Sequence, residues 1–260
     1  MITLKNPAQI AKMRDAGKLL YEVEMLVREK ICAGVTTADL DVYAEQLIRK
    51  NHAIPSSLHY EGYPCTICAS VNDEVVHGIP SDRRVLKEGD ILSVDCTLLL
   101  DGWQADSAFT VGVGQISETA NRLIAVTEEC FFLAARQCVQ GKRLSDIARA
   151  VEQHAVKNGF TPIRDFTGHG IGREMHEDPA VYNYLDPRNG HGPRLRSGMT
   201  LAVEPMIAEK DWHVLIDEDG WCARTRDHGL CAHYEHTVAI NEEGLPEILT
   251  LPGFVWEADE

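Results

Sequence analysis

The sequence predicts an α+β protein built from two similar halves that face each other. Apolar, β-rich segments flank the dipeptide Asp101-Gly102, which favours a two-residue hairpin turn. Segments with helical periodicity lie on both sides of this hairpin. The tripeptide His-Gly-Ile occurs at 77–79 and at 169–171. Each copy follows two helical segments and precedes two strand-like segments with an Asp-Gly turn between them.

The first half begins with two predicted helices, followed by a loop and a strand. Asn6 precedes Pro7 in the pattern of an N-cap with proline in the first helical turn, and Thr37 is a good N-cap for a second helix. The predicted elements are a helix from Pro7 to about Lys30, a helix after Thr37, a loop over 51–64, a strand over 68–76 and the hairpin over 91–112.

The second half repeats this order with different spacings. We predict helices over about 117–140 and 145–158, loop and short strand over 161–180, a looser stretch over 183–197, a strand over 199–207, a turn at Asp219-Gly220, a strand over 233–240 and a loose tail from Gly253.

The composition is that of a soluble globular protein with an acidic balance. Apolar residues make up 44% of the chain and charged residues 25%. The net charge of −15 argues against nucleic-acid binding, because no basic surplus exists to neutralise phosphates. No apolar run reaches membrane-spanning length, and the N-terminus lacks a signal-peptide pattern. We therefore expect a cytoplasmic protein that binds neither nucleic acid nor membrane.

Eight cysteines are scattered along the chain. Cys65 and Cys68 form a CxxC pair, but a structural zinc site needs a second close pair, and Cys222 and Cys231 are too far apart for one. We expect reduced thiols that are buried or line a pocket.

The hairpin predicts a close pair of carboxylates. If Asp101 and Gly102 form the turn, Asp95 lies opposite Ala108 and Asp106 lies opposite Thr97, so the two aspartates are diagonal neighbours on one face. On a partly apolar face they repel each other unless a cation lies between them. The simpler alternative is an exposed hairpin with ordinary surface acids.

Similar carboxylates recur downstream and favour a metal site. Four carboxylates around one point require cationic charge, and two ions bridged by Asp106 and Glu235 would use all of them, at roughly 3.5–4 Å from each other. Oxygen-rich ligation with one imidazole suits Mn, Fe(II) or Co better than a thiolate zinc site, although Zn is possible. The candidate ligands are Asp95, Asp106, His169, Glu204 and Glu235.

Other catalytic motifs are absent from the sequence. There is no GxSxG elbow, HExxH helix or GxxxxGK loop, and the glycines of 168–172 lack a Rossmann context. We expect these glycines to let the backbone pass close to a substrate. His77 begins the first His-Gly-Ile copy, and His176 lies seven residues after His169, which begins the second copy. They are therefore placed to donate hydrogen bonds to a scissile carbonyl or its oxyanion.

Several longer motifs carry a resemblance to a known family. From about Thr3 to Pro252 the chain resembles the bacterial-type (type I) methionine aminopeptidases, which have the pita-bread fold. The motifs are VHGIP at 76–80, VDCTLLLDGWQADSAFTVG at 94–112, FTGHGIGREMHEDP at 166–179, MTLAVEPM at 199–206 and YEHTVAI at 234–240. The resemblance implies one catalytic domain over 1–260, with halves of about 1–114 and 115–252 around an antiparallel sheet and a tail over 253–260.

The resemblance also implies a role for each site residue. The five candidate ligands would bind two divalent cations, bridged by Asp106 and Glu235. Glu204 would also be the general base that carries a proton from the attacking water to the leaving amine. His176 would stabilise the tetrahedral intermediate, and His77 would contact the substrate backbone. The α-amino group of the peptide would bind a metal. The methionine side-chain pocket would be lined by Tyr60, Tyr63, Cys68 and Trp221.

This sequence departs from the family pattern near the expected site. Ser57 stands where many bacterial members have a pocket Cys, and Met175 stands where Phe is usual, so both affect how methionine is held. His233 replaces a common Gln two residues before Glu235, on the same strand face, where it adds a polar or metal-tuning contact. The segment 183–197 is longer than the connection that family members usually have at this place.

The leading hypothesis is a monomeric metallo-aminopeptidase that removes initiator methionine from nascent proteins with a small second residue, near the ribosome. One alternative is an Xaa-Pro aminopeptidase or prolidase of the same fold, although those enzymes usually carry an additional N-terminal domain. Another is a non-catalytic binding protein on this scaffold. Such proteins typically lose metal ligands, whereas all five candidates are present here.

Overall fold

The structure is a computed structural model that describes residues 1–257. Its first three helices begin at N-cap residues that are recognisable in the sequence. The side chains of Asn6 and Gln9 form a reciprocal capping box at the first helix, and Ser117 caps the third. Thr36, rather than the predicted Thr37, caps the second. The helices are α1 (Pro7–Lys30), α2 (Thr37–Lys50), α3 (Glu118–Ala135) and α4 (Leu144–Lys157).

The strands are mostly short. They are β1 (Ile54–Pro55), β2 (Ile67–Val71), β3 (Glu74–Val76), β4 (Ile91–Leu100), β5 (Trp103–Gly112), β6 (Thr161–Pro162), β7 (Gly168–Gly170), β8 (Glu177–Val181), β9 (Thr200–Val203), β10 (Met206–Ala208), β11 (Val214–Ile216), β12 (Ala223–Thr225), β13 (Cys231–His233), β14 (Glu235–Ala239) and β15 (Glu247–Ile248). Short 3-10 turns lie at Tyr60–Gly62 and Pro187–Asn189.

The predicted hairpin is confirmed in turn type and register. Asp101 and Gly102 both have positive φ, 51° and 78°, as a two-residue turn of the kind favoured by Asp-Gly requires. In the pairing of β4 with β5, Asp95 lies opposite Ala108 and Thr97 lies opposite Asp106. The two aspartates therefore share one face of the sheet.

One antiparallel sheet joins the two halves of the chain. Its strands run in the order β1-β4-β5-β14-β9-β7-β8, with β2 on β4 and β15 on β14. Alternate residues of these strands pack against the helices in two apolar clusters. One cluster packs Leu20 and Leu40 of α1 and α2 against β4 and β5, and the other packs Phe131 and Ile147 of α3 and α4 against β9 and β14. The opposite face of the sheet carries the polar residues of the site.

Three predicted strands are interrupted in the structure. The strand predicted over 68–76 turns at Asn72, which has a φ of 60°. The strand over 199–207 is interrupted at Glu204-Pro205, where Pro205 has no N–H to continue the ladder. The strand over 233–240 breaks at Tyr234, whose N–H donates to the carbonyl of Pro205 at 3.2 Å. The two breaks meet, so the chain crosses there from the large sheet to the three-stranded sheet β13-β10-β6.

Other differences from the predictions lie at the ends of elements. Helix α3 ends at Ala135 rather than near Gln140. The predicted loose tail is wrong for its described part. Phe254 stacks on Phe132 with ring centroids 5.3 Å apart, and the indole N–H of Trp256 donates to the carbonyl of Pro246 at 2.7 Å. Residues 258–260 lie outside the described residues. Within 1–257, no helix is long and apolar enough to cross a membrane.

Candidate active site

A cavity of about 230 Å³ opens on the polar face of the sheet, between the two halves of the chain. All thirteen site residues predicted from the sequence line it. They are Ser57, Tyr60, Tyr63, Cys68, His77, Asp95, Asp106, His169, Met175, His176, Glu204, Trp221 and Glu235. The sequence placed these residues on separate elements, and the fold brings them to one surface.

The strand register explains why the carboxylates converge. Asp95 on β4 lies opposite Ala108 on β5, which in turn lies opposite Glu235 on β14. The methyl group of Ala108 therefore separates two carboxylates in one row across the sheet. On the other side of β14, Val203 lies opposite His236. The next residue along β9, Glu204, therefore comes beside Glu235.

His169 lies on the next strand of the same sheet, with its Nε2 atom directed at the carboxylates. Nε2 is 3.5 Å from Asp106 Oδ2 and 3.5 Å from Glu204 Oε1. Nδ1 lies 2.9 Å from the carbonyl oxygen of Gly170. Because Nδ1–H donates to that carbonyl, Nε2 is left as the lone-pair nitrogen facing the cavity.

The donor atoms fit a divalent cation. Atoms of Asp106, His169 and Glu235 lie within 4.8 Å of one another, and so do atoms of Glu204, His233 and Glu235. Asp106 Oδ1 and Glu235 Oε1 are buried and find no hydrogen-bond partner within residues 1–257. Ligands held at about 2.1 Å from one ion lie about 3–3.5 Å from each other, which is close to the separations of His169 from its carboxylates.

Charge repulsion also indicates that a cation belongs here. Burial, followed by the charge of Asp106, raises the pKa of Asp95, Glu204 and Glu235 well above the usual carboxyl range. Such a row of carboxylates is costly to ionise in the bare protein, whereas a bound cation reverses the sign of the local interaction.

Two glycines allow β7 to approach its neighbours. A Cβ atom on Gly168 would lie 2.3 Å from the carbonyl oxygen of Ala202 on β9, and one on Gly170 would lie 2.1 Å from that of Asp178 on β8. The close approach seen here is to the neighbouring strands, and an approach to a substrate stays a prediction. The approach to the strands places His169, between the two glycines, at the depth of the carboxylates.

His176 and His77 flank the carboxylate row. The His176 ring lies 4.3 Å from the His169 ring, and its Nδ1 is 2.9 Å from the hydroxyl of Tyr60. The His77 ring meets the Phe166 ring edge-on, with centroids 5.4 Å apart. The backbone of His77 has a φ of 61°, which is uncommon for a non-glycine residue. Burial lowers the pKa of both imidazoles, so both are neutral at pH 7 and keep one N–H to donate.

The remaining predicted residues form one wall of the cavity. The rings of Tyr63 and Trp221 meet edge-on, with centroids 5.2 Å apart. Cys68, on β2, lies opposite Asp95 on β4, and Met175 is buried. Ser57 Oγ is 2.5 Å from the hydroxyl of Thr97, the residue opposite Asp106. All eight cysteines are free thiols, as predicted.

Three apolar lining residues were missed by the sequence analysis: Val76, Phe166 and Met206. Each lies within three residues of a predicted site residue, inside a quoted motif. That proximity was the available signal, but apolar residues in strand-like segments are more often part of the core.

His233 is buried beside two of the predicted ligands. It ends β13, whereas Glu235 begins β14, so the predicted common strand is wrong although the two side chains remain neighbours. Its Nε2 atom is 3.6 Å from Glu235 Oε2 and 3.7 Å from Glu204 Oε2.

Nearly the whole chain is similar to proteins of known family and structure. Residues 11–242 match the model of metallopeptidase family M24. The chain is 50% identical to the methionine aminopeptidase of Clostridium acetobutylicum over 96% of this chain and 99% of that protein. The crystal structure of methionine aminopeptidase from Thermotoga maritima superposes with a TM-score of 0.93 at 44% identity, covering 96% of this chain and 99% of the other.

A more distant structure shares the fold. The prolidase of Pyrococcus horikoshii superposes with a TM-score of 0.75 at 20% identity, over 95% of this chain but 63% of the prolidase. The chain therefore has the pita-bread fold and belongs to metallopeptidase family M24, within the bacterial-type methionine aminopeptidases.

Proposed function

We propose that this metallo-aminopeptidase removes the N-terminal methionine of proteins with a small second residue, by hydrolysis of the first peptide bond at a pair of divalent cations. The observation that carries the proposal is the convergence of five metal-binding side chains beside an aromatic-walled pocket in one cavity. The relatives that match nearly the whole chain are named methionine aminopeptidases, which supports the choice of substrate.

The proposed ligands are Asp95, Asp106, His169, Glu204 and Glu235. Asp106 and Glu235 are the bridging candidates, because each belongs to a close donor group and each has a second buried oxygen without a hydrogen-bond partner in the described chain. Mn, Fe(II) and Co suit this donor set, and Zn is also compatible. When bound, such a pair of cations polarises the scissile carbonyl and lowers the pKa of the attacking water.

Glu204 is the proposed general base. It lines the cavity beside His169, and its backbone carbonyl accepts a hydrogen bond from Asn183 Nδ2 at 2.9 Å, which holds the strand end in place. From this position its carboxylate takes a proton from the attacking water and returns it to the leaving amine.

The two neutral imidazoles are the proposed hydrogen-bond donors to the substrate. The Tyr60 hydroxyl lies at hydrogen-bond distance from His176 Nδ1 and orients that ring beside His169. His176 then donates to the oxygen that becomes negative in the tetrahedral intermediate. The ring of His77 meets Phe166 edge-on, and we infer that His77 contacts the substrate backbone.

The pocket wall sets the choice of side chain. Tyr60, Tyr63, Cys68 and Trp221, with Met175 and Ser57, enclose the space beside Asp95. We infer that the side chain of the first residue occupies this space and that its α-amino group faces the cations.

We also infer a single catalytic domain of 1–260, with halves of about 1–114 and 115–252. We also infer a monomer, since the predicted site residues of one chain already line a common cavity. Because this substrate class consists of newly made proteins that begin with methionine, we infer that the enzyme acts in the cytoplasm and transiently near the ribosome.

The test uses protein freed of metal by chelation and re-supplied with Mn, Fe(II), Co or Zn one at a time. Release of methionine from a Met-Ala-Ser peptide should be absent after chelation and restored by at least one cation, with two equivalents bound. An Ala-Pro dipeptide separates this activity from that of a prolidase. Cleavage of Ala-Pro without release of methionine would refute the proposed substrate.

A further inference from the structure

We propose that His233 is an additional ligand of the cations, so that the site has two imidazoles rather than one. This inference rests on the proposed function, because it assigns a further residue to the same metal centre. It changes the chemical character of the site from carboxylates with a single nitrogen to a more balanced nitrogen and oxygen set.

The first argument is an internal comparison of distances. The proposed ligand His169 holds Nε2 at 3.5 Å from two carboxylate oxygens, on Asp106 and Glu204. His233 holds Nε2 at 3.6 and 3.7 Å from two carboxylate oxygens, on Glu235 and Glu204. These separations exceed hydrogen-bond distance, and they are only 0.1–0.2 Å longer than those of His169.

The second argument is burial without a partner. His233 has only 1% of its surface exposed, and its Nε2 finds no hydrogen-bond partner within residues 1–257. A buried polar nitrogen left unpaired typically costs about 1–3 kcal/mol. A cation between Nε2 and the carboxylates of Glu204 and Glu235 would give this nitrogen a partner.

The third argument is that the backbone of His233 is held in place. Thr110 Oγ1 donates to the His233 carbonyl at 2.8 Å, and the His233 N–H donates back to the same hydroxyl at 2.9 Å. On its other side the residue pairs with Met206 of β10. A residue clamped from both sides is pre-organised, as a ligand on a rigid element should be.

The arrangement places Glu204 between two imidazoles. Its Oε1 faces His169 and its Oε2 faces His233. A second imidazole favours Co, Fe(II) or Zn over Mn, because nitrogen ligands suit the later metals better than a purely oxygen set does. We therefore expect His233 to raise the affinity for cobalt more than the affinity for manganese.

The experiment is NMR of the full chain with isotope-labelled histidine, loaded with an NMR-active cadmium isotope. Nitrogen–cadmium scalar coupling reports a direct bond. Two histidine nitrogens should be split by cadmium in the wild type and one in His233→Gln. By calorimetry, the Kd for cobalt should rise on the order of 10–100-fold in His233→Gln, with a smaller rise for manganese.

His236→Gln is the matched control. His236 is buried nearby on β14 but turns to the helix-covered face, where it bonds Thr250 and Tyr234 at 2.9 and 3.2 Å. It should keep both split nitrogens. One split nitrogen in the wild type would overturn the inference even if His233→Gln failed to fold, and would leave the proposed function intact. No cadmium, cobalt or manganese binding in the wild type would instead refute the proposed function.

Discussion

Glu24 predicts an unusual pH dependence of stability in the metal-free protein. It lies on α1 and is buried against β5, where Ser107 Oγ donates to its carboxyl at 2.8 Å. Burial raises the pKa of Glu24 from 4.5 to about 8, and the nearby charge of Asp106 adds to the rise. The Ser107 hydrogen bond and the positive charge of Arg28 oppose the rise but are outweighed.

The sign follows from where the proton is held. Because the folded pKa exceeds the unfolded one, folding of the wild type is favoured most below pH 4.5, and this contribution is lost as the pH rises through about 8. Glu24→Gln removes this titration. Relative to the wild type, the variant should gain roughly 3 kcal/mol of unfolding free energy by pH 7 and on the order of 4–5 kcal/mol above pH 8.

The assay is urea unfolding at pH 5, 6, 7 and 8.5 in the presence of a chelator, which removes the influence of bound cations. Glu22→Gln, the same change at an exposed position of α1, is the control. The difference in unfolding free energy between Glu22→Gln and the wild type should stay constant across the four pH values. Parallel pH profiles for the wild type and Glu24→Gln would refute the reasoning, because they would show that Glu24 is ionised in the folded protein.

Three further predictions concern the site. Glu204→Gln removes the proposed base with little change of shape, so kcat for a Met-Ala-Ser peptide should fall about 10²–10⁴-fold while circular dichroism is unchanged; full activity would contradict this role. In the wild type, peptides that begin with Leu should react roughly 10–100-fold more slowly than peptides that begin with Met, and norleucine peptides should react at an intermediate rate. Met175→Ala should reduce the ratio of the Met rate to the Leu rate. Equal rates in the wild type would exclude a tight methionine pocket. Gly168→Ala forces a Cβ to 2.3 Å from the Ala202 carbonyl, so unfolding free energy should drop by about 1–3 kcal/mol and cation affinity should weaken; unchanged calorimetric titrations would contradict this.

The parts of the fold that depend on local chemistry were predictable. The Asp101-Gly102 turn fixes the hairpin register, and that register alone places Asp95 and Asp106 on one face. The caps at Asn6 and Ser117 likewise begin their helices where the sequence indicates. In each case a short segment contains all the atoms that decide the outcome.

The strand breaks depend on contacts that no single segment contains. Pro205 was a local signal for the interruption at Glu204-Pro205, but the matching break at Tyr234 arises because its N–H donates to the carbonyl of Pro205, which is distant in sequence. The sequence therefore indicated that His233 lies near Glu235 but not that it also approaches Glu204, which requires the pairing of β14 with β9.

The row of Asp95, Ala108 and Glu235 has a consequence for the lifetime of the protein. Its two carboxylates come from opposite halves of the chain, so a cation held by both closes a very long loop, as a disulfide would. Ion binding then adds directly to the cost of separating the halves. Under metal starvation the enzyme should lose not only turnover but also resistance to proteolysis, so its cellular abundance would follow the supply of metal.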